Sequence, residues 1–123
     1  MKKIISILCM FSLLLSSACK KEAAAPAFTY NGKWTINYNF TTGSMAKGTF
    51  TATLKSDGKW DYVEGSFNKT DAGTWTSSGN TISFSFNFSG LAVYTGTKVS
   101  DNSLSGTAIA DANVSTGTWT ATR

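Results

Sequence analysis

The chain has 123 residues, a formal net charge of +4, two cysteines and no histidine. That length fits one domain, and the missing histidine excludes Ser-His and Cys-His nucleophile pairs and imidazole metal sites. From residue 28 onward seven basic residues face six acidic ones, a net of +1 that excludes an electrostatic footprint for nucleic acid.

In chain order, Lys2 and Lys3 precede an apolar run, Ile4 to Leu15, too short to span a bilayer and followed by small residues. This predicts an export signal over residues 1–18. The segment Leu15-Ser16-Ser17-Ala18-Cys19 resembles a bacterial lipoprotein processing site, although Ser16 stands where that pattern prefers Leu, Val or Ile. The resemblance implies cleavage before Cys19, acylation of its thiol and amine, and a cell-envelope protein held at the outer membrane by its lipid. Ordinary secretory cleavage nearby, with Cys19 a free thiol, is the alternative. Cys9 lies in the apolar signal core, so Cys19 would be left alone and no internal disulfide could form. Residues 19–27 form a tether without a pattern that could bury a face. Its Lys20-Lys21-Glu22 is similar to surface-export signals of lipoproteins from Bacteroidetes, and a soluble spacer is the other reading.

Residues 28–123 are predicted to be the folded domain. Apolar residues recur at every second position, the period of a strand. Trp34, Ile36, Tyr38 and Phe40 alternate with Thr35, Asn37 and Asn39, and Ile82, Phe84, Phe86 and Phe88 alternate with Thr81, Ser83, Ser85 and Asn87. One face is dry and the other wet, as in antiparallel sheets. Asp57-Gly58, Ser78-Gly79-Asn80, Ser89-Gly90 and Asp101-Asn102 supply the turns. The pattern predicts eight strands over about 33–41, 47–56, 59–68, 72–77, 81–89, 92–100, 103–110 and 115–123. Phe67 falls out of phase with Trp60 and Tyr62, and a bulge near Gly65 is the expected cause. Sequential strands joined by tight turns suggest a meander that closes on itself.

Four segments then resemble the small lipocalin-like domains of bacterial lipoproteins, members of the calycin-type barrels. They are Gly32-Lys33-Trp34, the Asp57-Gly58 hairpin, Gly73-Thr74-Trp75 with Asn80-Thr81-Ile82, and Gly117 to Arg123. The resemblance implies an all-β, eight-stranded antiparallel up-and-down barrel in which Arg123 on the last strand covers Trp34 on the first. The chain departs from typical lipocalins in being shorter and in stopping at Arg123 without a following helix.

An eight-stranded barrel is wide enough either to be filled or to hold one small ligand. Gly96, Gly106, Ala108, Ala110 and Ala121 form a wall of small residues opposite many rings, so a slot for a small hydrophobic molecule is expected there, lined by Tyr38, Phe40, Tyr62, Phe86 and Tyr94. The alternative is a filled barrel acting as a structural or protein-interaction module at the cell surface. No catalytic residue, metal ligand or cofactor motif stands out. The acids Asp57, Asp61, Glu64, Asp71, Asp101 and Asp111 fall mostly at turns, where such residues are usually solvated or bonded to backbone, so an enzyme is not expected.

Overall fold

The computed structural model describes residues 27–43, 46–88 and 91–123. The expected signal over 1–18, and Cys19 with its tether up to residue 26, lie outside the described residues. Eight strands follow one another: β1 Gly32–Phe40, β2 Lys47–Leu54, β3 Lys59–Glu64, β4 Phe67–Ser78, β5 Thr81–Phe86, β6 Val93–Ser100, β7 Ser103–Ala110 and β8 Ser115–Thr122. Every neighbouring pair is antiparallel, and β1 also pairs with β8 from Thr35↔Thr122 to Phe40↔Gly117. The result is a closed up-and-down barrel in the order β1 to β8, the architecture of lipocalin-like folds. Closure leaves no strand with a free edge for another chain to pair with.

The period-2 pattern sets the two faces. Trp34, Ile36, Phe40, Phe50, Leu54, Trp60, Tyr62, Ile82, Phe84, Tyr94, Leu104 and Trp119 point inward and are buried. The intervening threonines, serines and asparagines lie outside, where a branched hydroxyl residue suits an exposed pleat.

Two sequence expectations are corrected between β3 and β4. Gly65 is not a bulge: Glu64 pairs directly with Phe67, so Gly65-Ser66 is a two-residue hairpin turn, with Gly65 at a φ of +58°. A positive φ at the first turn residue is where glycine carries no steric cost. The expected strands 59–68 and 72–77 therefore become 59–64 and 67–78. The irregularity lies further on, opposite Asp61, where the register jumps from Trp60↔Gly73 to Tyr62↔Lys69. Asp71 takes a φ of +51° there, and Ala72 and Gly73 are buried in succession. The displaced backbone finds new partners. Asp61 accepts from the Asp71 N–H at 2.9 Å, and Asn87 donates its side-chain amide to the Asp71 carbonyl at 2.9 Å and its own N–H to Ala72 at 2.8 Å.

The wall of small residues is also corrected. At its glycines there is no slot: Gly96, Gly106 and Trp119 sit side by side on β6, β7 and β8, and a Cβ on Gly96 would lie 2.6 Å from the Trp119 ring. The glycines give up volume that Trp119 takes.

Candidate functional site

The barrel has a sealed end and an open end. At the sealed end the N-terminal segment folds across the base. The Tyr30 hydroxyl donates to the Gly79 carbonyl at 2.9 Å, and the Trp34 indole N–H donates to Tyr30 O at 2.8 Å. Arg123 lies 4.4 Å over the Trp34 ring, and its guanidinium donates to the carbonyls of Thr29 at 3.0 Å and Asn31 at 3.2 Å. The same guanidinium and the Lys98 ammonium flank the Phe28 ring at 5.1 and 4.1 Å. Trp34 and Arg123 thus meet at the seam of β1 and β8. Outside the wall, Lys55 bridges Asp61 at 2.8 Å and also pairs with Asp71. These bonds hold the Lys55 ammonium above its usual pKa, and Lys55, followed by the Asp71 N–H, holds the Asp61 carboxyl below its own.

The middle of the barrel is filled with rings. Phe84 stacks on Tyr94 at 4.9 Å, Trp60 meets Phe86 edge-on at 4.7 Å, and Trp119 meets Phe84 at 5.4 Å. Each of the four tryptophans donates its indole N–H to a backbone carbonyl: Trp34 to Tyr30, Trp60 to Ser85, Trp75 to Lys55 and Trp119 to Thr107. A buried indole needs such a partner, and these bonds fix the rings as structure.

At the open end the filling stops. Tyr38, Phe50, Tyr62, Glu64, Phe86, Phe88, Ala92 and Tyr94 line a cavity of about 110 Å³. β1 brings Tyr38 to it, β3 brings Tyr62 and Glu64, β5 brings Phe86, and β6 brings Tyr94. Of the ring residues expected to line a slot, Tyr38, Tyr62, Phe86 and Tyr94 come together here. Phe40 does not line the cavity; it is buried, with its ring 6.0 Å from Tyr38 and 6.4 Å from Tyr94.

Glu64 was not expected at the cavity. One of its carboxylate oxygens accepts from the Tyr38 hydroxyl at 3.0 Å, and the other accepts from the Tyr62 hydroxyl. Its position was readable in the alternation Trp60, Tyr62, Glu64, which continues the inward face of β3 to its end. The proximity of a turn masked that phase. Burial, followed by the bond to Glu64, raises the pKa of both Tyr38 and Tyr62. Burial also raises Tyr94, with smaller contributions from Tyr38 and Glu64. The three phenols therefore stay neutral at physiological pH. Gly48, opposite Tyr38 on β2, makes their arrangement possible, because a Cβ there would collide with the Tyr38 hydroxyl.

Hollows also lie outside the barrel. One, of about 380 Å³, is lined by Leu91, Val93, Ile109 and the 110–113 segment, in which Asp111, Ala112 and Asn113 all have positive φ. Another sits over the bulge, beside Asp71 and Asn87. Among the described residues no group of three or more His, Cys, Asp or Glu is placed to hold a metal ion. Comparison of the chain with protein-family models, curated proteins and solved structures finds no match in any of the three.

Proposed function

We propose that this chain is a non-enzymatic cell-envelope lipoprotein, anchored in the outer membrane through an acylated Cys19, whose barrel mouth binds a small, largely apolar molecule. One observation carries the binding reading: the open end holds a ring-lined cavity of about 110 Å³, while the rest of the barrel is packed. Its size sets the ligand class. A cavity of about 150 Å³ holds one benzene ring, and drug-sized pockets run from about 300 Å³. The mouth therefore suits a small head group with the remainder outside, and not an enclosed retinoid or haem. The lipoprotein part rests on the sequence around Cys19, and acyl chains there would supply about 0.8 kcal/mol per buried methylene.

Native mass spectrometry of the protein purified without its acyl chains tests the binding reading. A reproducible small-molecule adduct, displaced with a change in tryptophan fluorescence, is the expected result. A clean apo mass together with no fluorescence response to a panel of small amphiphiles would defeat it. Fatty-acid labelling that vanishes in Cys19→Ala tests the anchor, and labelling that persists would remove it.

A second reading has its own support. The outer hollow at Leu91, Val93 and Ile109 is larger than the mouth cavity, and Leu91 is 70% exposed. A filled barrel using that apolar surface as an interaction module would present such a feature.

A further inference from the structure

The mouth cavity contains a carboxylate that forms no ion pair among the described residues. Both oxygens of Glu64 accept from tyrosine hydroxyls, yet a carboxylate has about four lone-pair sites, so it can accept further donors. The ion pairs formed by lysine among the described residues go to Asp61, Asp71 and Asp101, none to Glu64. Around the carboxylate stand the rings of Tyr62, Phe86, Phe88 and Tyr94, whose faces attract cations. One face already does so: the Lys69 ammonium lies 5.5 Å from the centre of Phe88. The Tyr38 and Tyr62 hydroxyl protons are both committed to Glu64, so neither is free to greet an anion.

Resting on the ligand reading above, we propose that this mouth selects an ammonium group: a primary or methylated alkylamine whose charged head sits against Glu64 among the rings. The tail runs outward over Phe67, which is 53% exposed and lies 6.0 Å from Phe88 and 5.9 Å from Tyr62. A small head in a cavity of about 110 Å³ matches this arrangement. An anionic amphiphile of the same length is rejected, because it would place two negative charges together away from bulk water.

The test compares three probes of equal chain length, hexylammonium, hexanol and hexanoate, by calorimetric titration of the purified protein at neutral pH. Hexylammonium is expected to bind about tenfold tighter than hexanol, as one charge-assisted contact allows, and hexanoate weakest. This order is read in the unaltered protein and needs no variant. Glu64→Gln, which keeps the size and an acceptor oxygen, is expected to abolish the preference for hexylammonium over hexanol. Equal binding of hexylammonium and hexanol, or a preference that survives in Glu64→Gln, overturns the ammonium assignment and leaves the ligand reading standing. No binding of any probe at millimolar concentration overturns both.

Discussion

The two ends of the barrel are built from the same alternating strands and do opposite things. At the sealed end the polar groups close on one another: Tyr30 on Gly79, Trp34 on Tyr30, and Arg123 on Trp34, Thr29 and Asn31. At the open end the inward positions end in phenols and a carboxylate around unfilled space. The difference shows how a meander with uniform patterning divides its labour. Large apolar rings with satisfied N–H groups make a core, while tyrosines and a glutamate two or four residues further along the same faces make a recess. The outer wall leans the same way: Val63, Phe67, Leu91, Ile109 and Val114 are exposed near the open end, and Val99 is exposed towards the sealed one.

The largest test of this contrast compares one ring from each end. Trp34 is 1% exposed, and Trp34→Ala should lower stability by about 3–5 kcal/mol, the usual cost of emptying a buried aromatic site. Phe88, half-buried at the mouth, should cost less than about 2 kcal/mol when changed to Ala. Equal losses in denaturant unfolding would erase the distinction between floor and mouth.

Alkaline pH should act next. The folded pKa values of Tyr38, Tyr62 and Tyr94 all lie above the free value of 10.0. The folded state therefore holds these protons when the unfolded chain has lost them. Their contribution is complete below pH 10 and falls as pH rises from there through the folded values. Tyr62→Phe should flatten this decline, and an unchanged slope of stability against pH would contradict the placement of that hydroxyl.

Arg123→Ala should cost about 1 kcal/mol, since a solvent-exposed cation over a ring contributes roughly 0.5–1 kcal/mol. The loss should appear in thermal unfolding and leave ligand affinity at the mouth untouched. Asp101→Asn should have the smallest effect. It removes an ion pair to Lys98 at 2.6 Å whose aspartate is mostly exposed, and salt screens such pairs. Lys98 holds the Asp101 carboxyl below its usual pKa, so what stability the pair adds is present above that usual value and fades as pH falls below it.

Most of the barrel was legible because every strand but β4 alternates cleanly and the turns carry glycine or Asn/Asp residues. The seam was legible for the same reason: Trp34 and Arg123 share a phase with their neighbours on β1 and β8. The region from Gly65 to Gly73 was not. Gly65-Ser66 lacks the Asn-Gly or Asp-Gly signature of a tight hairpin, and the extra residues at Asp71 are stabilised by Asp61 and Asn87, partners ten and sixteen positions away. No local pattern records such a contact. The mouth was half legible. Its rings followed from period, but the space between them depends on where packing runs out. The glycines that suggested a slot instead accommodate Trp119.

The open mouth, and not the outer wall, is the proposed seat of the ligand. Amide chemical-shift mapping by NMR during titration with hexylammonium tests it directly. Shifts centred on Tyr62, Glu64, Phe86, Ala92 and Tyr94 are predicted. Shifts centred on Val93, Ile109 and Ala112, with the mouth silent, would contradict it.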